Sequence, residues 1–393
     1  MQLFQINLQF GDITTNPYHL ETILRSDLTK ALTSLTPDIL EEAQLALPEA
    51  FDSKGSDSVT LPLFNTMVNI VARVSNRVMI GVPGCRDKRF LHEQVNLATT
   101  VIGLSQVLNY FPQFLRPLVF RLSSLVFGGT KTVVPLLTPY VKSRIEYAQQ
   151  FQDNPQTITD ILMRFTPEED IMIPEKVAVR VAHLNMASIH TTAIFITHAL
   201  FELALFTPEQ LDMLRDEITT AIESEGGVCN KAAVGRFHIL DSLLKEIGRW
   251  HPLFAIGMSR LTLSDAVIAD GSVIPKGTVV AIAPKATHYN PEIYDQPEIF
   301  DPFRFSKLRG TGGIDGKHAF TALSNDYLLF GVGKHACPGR FFAALKIKVI
   351  LAEIILNYDL SCPSGKAERP KSFAFNLFTT PSPTAKLTFT RRK

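Results

Sequence analysis

Apolar residues recur at three- and four-residue spacing over 20–47, 60–80 and 90–108, which predicts three amphipathic helices. Pro112, Pro117 and the pair Gly128, Gly129 break the next stretch into short helices and loops. The most sustained helical pattern covers 174–206. Pro174 suits a first helical turn, and Glu175 suits the positive end of the helix dipole. Some thirty residues at helical rise span on the order of 45 Å, so an element this long and apolar is expected to cross the middle of the molecule. Its polar interruption, ASIHTT at 187–192, then needs a reason. The chain start reads differently. Phe4, Ile6, Leu8 and Phe10 alternate with Gln5, Asn7 and Gln9, the period of a half-buried strand. Over 261–283, alternating β-branched residues broken by Asp270-Gly271 and Lys276-Gly277 predict hairpins. The Pro-rich stretch 284–302 reads as ordered loop, 341–356 as a strong helix, and the remainder as a few strands. The fold class is mainly α with small β-sheets.

Composition narrows the function classes without choosing one. The chain has 393 residues, 46% of them hydrophobic, enough to bury a large core. A formal net charge of +1 argues for neither a nucleic-acid partner nor an acidic one. Cys85, Cys229, Cys337 and Cys362 are far apart and form no CxxC pair, which favours a reduced compartment over a disulfide framework. No run of eighteen apolar residues occurs, so no transmembrane helix is visible, and no signal peptide opens the chain.

The richest local chemistry is FGVGKHACPG at 330–339. GVGKHA fits the dinucleotide pattern GxGxxA, and Glu353 lies near the place of an acidic ribose ligand. The context does not fit, because too little chain follows for the repeated strand–helix units of a dinucleotide domain. The spacing is also wrong for a P-loop. Cys337 offers the other reading. Pro338 suits a first helical turn, Gly333 and Gly339 allow tight turning on either side of the sulfur, and helix N-terminal amides favour a thiolate. Such a thiolate can be an axial ligand to heme iron. For a lone cysteine the commoner role is a buried structural thiol.

Phe330, Gly333, His335, Cys337 and Gly339 resemble the heme-binding signature of the cytochrome P450 family. The resemblance implies that Cys337 is the axial ligand of heme b, that Phe330 packs near the sulfur, and that His335 stands where an arginine usually contacts a propionate. EIGR at 246–249 resembles the family's Glu-x-x-Arg helix, and Pro302, Arg304 and Phe305 its Pro-x-Arg-aromatic motif. Glu246, Arg249 and Arg304 are then expected to form a buried charged triad with an architectural role. Phe303 replaces the common acidic residue, so one bond of that network is expected to be absent. Arg260 is expected at a propionate. ASIHTT resembles the oxygen-binding motif. By that resemblance Thr191 supplies the hydroxyl that hydrogen-bonds dioxygen and guides a proton to it. His190, in place of the usual acid, either joins the proton relay or pairs with a neighbour. A hydroxyl bonded back to its own helix is the plainer role for Thr191. His183 and His198 lack metal spacing with His190 and read as ordinary residues. NPYHLETILRSDLT at 16–29 resembles a propionate-contacting helix, with His19 and Arg25 as candidate partners.

The resemblance covers essentially the whole chain. It implies a single P450 domain over 1–393, partial at its N-terminus, without the membrane anchor and first sheet strands of fungal members; such a sheet has an open edge. It also implies monooxygenation of an apolar organic substrate by O2, in fungal secondary metabolism of terpenoid or polyketide type. Electrons would come from a separate NADPH-dependent reductase, with Lys334 on the docking face, and the enzyme would be a monomer at the cytosolic face of the endoplasmic reticulum membrane. The alternatives are a non-catalytic heme-binding remnant and, further off, a dinucleotide-dependent oxidoreductase using GVGKHA.

Overall fold

The computed structural model describes residues 6–14, 17, 19–20, 27–52, 55–150, 155–309, 316–363, 368–375 and 378–392. Its first element is a helix, α1 (Ile6–Phe10), and not the strand that alternation suggests. The buried set is Ile6, Gln9 and Phe10, which is helical spacing. Gln9 can be buried because its amide donates to the Val101 carbonyl (3.1 Å) and the Ser105 hydroxyl (3.0 Å).

The chain continues through α2 (Asp27–Ala50), β1 (Ser58–Pro62), α3 (Leu63–Met79) and α4 (Lys88–Asn109). Helix α2 buries Leu28, Leu32, Leu35, Ile39, Ala43 and Leu47, one stripe at helical period. Asp87 caps α4 by accepting from the amides of Arg89 and Phe90. Next come α5 (Arg116–Phe127), α6 (Thr130–Gln150), α7 (Ile158–Met163), α8 (Glu168–Ile171) and α9 (Pro174–Leu203). Pro117 sits in the first turn of α5, where a missing amide costs nothing.

Helix α9 is 30 residues long and packs against α3, α4, α6 and α8. It is followed by α10 (Pro208–Glu223), α11 (Lys231–Gly235) and α12 (His238–Trp250), and α12 also packs on α9. Thr207 and Gln210 form a reciprocal capping box at the start of α10. Strands β2 (Gly257–Leu261), β3 (Ala266–Val267), β4 (Val273–Ile274) and β5 (Val279–Ile282) pair as β2–β5 and β3–β4, so the hairpin chemistry of this stretch is realised. Val279 and Ile282 of β5 are exposed.

The Pro-rich segment that reads as loop contains a short helix, α13 (Pro284–His288), before its turns, and α14 (Arg304–Lys307) follows. Helix α15 (Arg340–Asn357) is apolar nearly all round and packs between α2, α9, α10 and α11. Strands β6 (Tyr358–Ser361), β7 (Phe373–Phe375), β8 (Phe378–Thr380) and β9 (Lys386–Arg391) end the chain. The last strand is the centre of an antiparallel sheet ordered β1-β9-β6. Its Phe389 stacks on Phe51 at 4.1 Å, tying the sheet to the end of α2. One contiguous apolar cluster runs from α1 through α9 and α15 to Phe389.

Candidate active site

The cysteine loop is built by two left-handed glycines and a short 3-10 turn. Gly331 has φ of 70° and Gly333 of 66°, conformations that favour glycine. Gly339 has φ of −86°, so its part differs from the turning expected of it. It precedes α15, and its amide faces the Cys337 sulfur together with the amide of Arg340. The Cys337 amide donates to the Phe330 carbonyl at 2.7 Å, closing the loop on itself. Burial pushes the Cys337 thiol up, while the two amides and the Arg340 guanidinium pull it back. Phe330 packs edge-on to Phe320 at 5.1 Å.

Beside the sulfur lies a cleft of about 240 Å³ whose wall combines Cys337, Phe330, Leu253, Met258, His335 and Arg260. Arg260 and His335 are exposed at its edge. The Arg260 guanidinium makes one bond, to the neighbouring Ser259 carbonyl at 2.9 Å.

Glu246, Arg249 and Arg304 meet in one charged cluster. Arg249 grips Glu246 with two bonds, 2.8 Å from Nε and 2.6 Å from Nη2, and both side chains are fully buried. Its Nη1 donates to the carbonyls of His288 (2.9 Å) and Pro297 (2.7 Å). Arg304 adds its Nε to Glu246 at 3.2 Å and donates to the carbonyls of Asp295, Gln296 and Ile299. The Asp301 amide donates to Glu246 at 3.0 Å. Every partner here is a backbone carbonyl, an amide or the one carboxylate, so the three charges close a fully bonded network. Gly248 is required by close approach: a Cβ there would stand 2.2 Å from the Tyr327 hydroxyl and 2.8 Å from Leu329 Cδ2.

On α9, Thr191 donates to the Ala187 carbonyl at 2.8 Å, the bond back to its own helix. Ala187 is nonetheless exposed and Thr191 half-buried in a helix that is otherwise deeply packed. His183 lies one turn earlier on the same face and bonds His19 at 3.1 Å, so His19 reaches α9. His19 is buried, and desolvation with His183 and Arg180 nearby depresses its pKa to about 3. Arg25 lies outside the described residues. Burial holds His190 near pKa 4, hence neutral at pH 7, and its Nδ1 is buried without a hydrogen-bond partner. His198 stacks on His251 at 4.5 Å and bonds Arg369.

The cytochrome P450 family model matches residues 12–389. The chain belongs to the cytochrome P450 family. Cytochrome P450 monooxygenase 103 of Postia placenta is 35% identical over 386 residues, covering 97% of this chain and 76% of that protein. Cytochrome P450 monooxygenase olcJ of Penicillium canescens is 32% identical over 392 residues, covering 98% and 72%. The retinoic acid-bound cyanobacterial CYP120A1 structure covers 100% of this chain and 82% of its own at a TM-score of 0.71; at 18% identity this likeness speaks for the fold alone. This P450 is therefore an enzyme of a monooxygenase family with fungal relatives. The family generally binds heme through a cysteine thiolate and uses O2, apolar substrates and a redox partner.

The residues present fit that group. One thiol, an apolar wall and two basic side chains share one cleft, which suits a flat apolar ligand with a metal centre and anionic edges. No cluster of three or more His, Cys, Asp or Glu that could hold a metal occurs among the described residues. The motifs assign no role to two buried polar side chains. Thr192, beside Thr191, has a buried hydroxyl with no partner. Lys346 of α15, fully buried, donates to Ser75 of α3 at 2.6 Å and to the Ser188 carbonyl of α9 at 3.2 Å. It thus joins the helix that follows Cys337 to the helix carrying Thr191. The signal was Lys346, the first of three charged residues inside the apolar run FFAALKIKVILAEII.

Proposed function

We propose that this P450 is a heme-thiolate monooxygenase in which Cys337 is the axial ligand. The observation that carries the proposal is the cleft in which the Cys337 sulfur, held by the Gly339 and Arg340 amides, shares a wall with Phe330, Arg260 and His335. When bound there, heme iron would supply the oxygen activation, and its positive charge would keep the thiolate deprotonated against the effect of burial. Gly331 and Gly333 set the loop, and Phe330 shields the sulfur. Arg260 and His335 at the cleft edge suit the propionates, with His19 as a third contact on the α9 side. Glu246, Arg249 and Arg304 hold the segment 288–304 against α12.

On α9, Thr191 bears the hydroxyl assigned to oxygen. Rotation of Oγ1 away from the Ala187 carbonyl frees it to accept a proton from one side and donate on the other. His190, neutral at pH 7, is a positioning residue for that exchange. The substrate is an apolar organic molecule of fungal secondary metabolism, of terpenoid or polyketide type. Electrons arrive from a separate NADPH-dependent reductase, whose docking face includes Lys334. The enzyme works as a monomeric domain at the cytosolic face of the endoplasmic reticulum. No helix among the described residues is long and apolar enough to cross a membrane.

The test is the spectrum of the reduced protein with carbon monoxide. Wild type should give the red-shifted Soret band of thiolate ligation, and Cys337→Ala should lack it. A wild type that takes up no heme, or a variant that keeps the band, overturns the assignment. Heme binding without reductase-dependent turnover of any apolar substrate would favour a heme-binding remnant.

A further inference from the structure

Two successive carbonyls of α9 each accept a side-chain donor. The Ala187 carbonyl takes the Thr191 hydroxyl at 2.8 Å, and the Ser188 carbonyl takes the Lys346 ammonium at 3.2 Å. In an α-helix the carbonyl of residue 188 is also the acceptor for the amide of residue 192, and the turn closed by that bond encloses Thr191. Two of the three threonines of this helix bond back four residues, Thr191 to Ala187 and Thr197 to Ala193. Thr192 does not. The carbonyl four residues before it belongs to Ser188, which Lys346 holds, and the buried Thr192 hydroxyl has no partner. The lysine therefore takes the acceptor that the helix's own hydroxyl would otherwise use.

The other end of this clamp is anchored on α3. The Lys346 ammonium donates to the fully buried Ser75 at 2.6 Å. The next residue, Asn76, accepts from the Asn185 amide group of α9 at 2.5 Å and donates to the Ala72 carbonyl at 2.9 Å. Helix α3 thus holds the polar stretch of α9 at Asn185 directly and at Ser188 through Lys346. Lys346 itself stands on α15, whose first amide, that of Arg340, faces the Cys337 sulfur. Architecture alone does not explain an ammonium here. Burial pushes its pKa down to about 7, and no charged side chain among the described residues contributes to that shift. The groups facing it are the Ser75 hydroxyl from α3, the Ser188 carbonyl from α9 and the Phe342 ring of its own helix, 4.7 Å away. A buried cation without a counter-charge weakens the fold, and perturbed groups of this kind gather at functional sites.

We infer that Lys346 is a positioning residue for Thr191: its ammonium pins the Ser188 carbonyl, sets the turn 188–192 and keeps the Thr192 hydroxyl from bonding back across it. One side chain thereby couples the helix that follows the thiolate to the oxygen side of the pocket. The inference rests on the roles proposed above for Cys337 and Thr191. The clamp is tightest while Lys346 is charged, because a charge-assisted donor binds a carbonyl more strongly than a neutral amine does.

The experiment is infrared spectroscopy of the carbon monoxide complex of the reduced, heme-loaded protein, followed against pH. The carbon monoxide stretch reports the groups beside the bound gas. Wild type is expected to show two bands, for the held and the relaxed turn. Their ratio should change roughly fivefold or more between about pH 6 and 8, as the charge-assisted bond gives way to a neutral one. Lys346→Met should show the relaxed band alone at every pH. Lys346→Gln keeps a neutral donor and should show a mixture that does not change with pH. Should the methionine variant fail to fold, wild type against Lys346→Gln decides. A lysine that only fills space predicts the same bands in all three proteins at every pH. That result, or a titration that persists in Lys346→Met, overturns the clamp while the thiolate Soret band leaves Cys337 in place. If no carbon monoxide complex forms, the assignment of Cys337 falls and the clamp falls with it.

Discussion

Lys346 carries a quantitative prediction. Its ammonium is fully buried, and desolvation drops its pKa from 10.5 to about 7. A lysine whose folded pKa is depressed stabilises fully only above its unfolded value. That contribution is lost as pH falls from about 10.5 and is gone below about 7. A gap of about 3.5 pH units is worth about 5 kcal/mol. The bonds to Ser75 and Ser188 return part of this, at roughly 1.5 kcal/mol or more each. Methionine matches the stem and carries no charge. Lys346→Met is therefore expected to be more stable than wild type at pH 7 by about 1–3 kcal/mol. The advantage should shrink by about 1.4 kcal/mol per pH unit and vanish by roughly pH 9. The assay is urea unfolding of both heme-loaded proteins at pH 7, 8 and 9, taken as a difference so that other titrations cancel. A difference independent of pH, or a methionine variant already less stable at pH 7, refutes the reasoning. Either result would mean that Ser75 and Ser188 hold the ammonium charged at neutral pH.

Other side chains give sharper yes-or-no outcomes. Glu246→Gln leaves Arg249 and Arg304 buried without their carboxylate, which should cost about 3–5 kcal/mol and abolish heme retention after gel filtration. Gly248→Ala forces a Cβ toward the Tyr327 hydroxyl, which the structure puts at 2.2 Å; a loss of about 1–3 kcal/mol is expected. Adding Tyr327→Phe should restore part of it, because that hydroxyl has no partner to lose while the Leu329 Cδ2 contact at 2.8 Å stays. His190, held near pKa 4 by burial, contributes stability above its unfolded value of 6.5 that is lost as pH falls through 4. His190→Asn should therefore flatten the acid limb of the denaturation curve between those pH values, by about 3 kcal/mol. An unchanged acid limb would show the imidazole to be already solvated.

The long helices were legible because their buried residues keep one period over many turns. Helix α9 begins at Pro174 as expected, and α15 differs from its reading by one residue at each end. The period fails where an element is short or where its partner is distant in sequence. Over five residues Ile6, Gln9 and Phe10 fit a helix while alternation fits a strand; what decides is a glutamine buried on Val101 and Ser105. The stretch 60–80 reads as one helix, yet its start is β1, drawn out by pairing of Val59 with Phe389. No local pattern carries that pairing, because half of it lies at the other end of the chain.

The site divides in the same way. Cations and the thiol were visible as residues in motifs, but their acceptors were not. Arg249 and Arg304 look in sequence like surplus positive charge around a single glutamate. In the fold, carbonyls from His288, Asp295, Gln296, Pro297 and Ile299 take the remaining donors. That segment was read as loop, and its irregularity is what lets its carbonyls turn inward instead of being spent in a helix or ladder. The absent acid at Phe303 therefore leaves no gap in the network, since backbone oxygens occupy the fork.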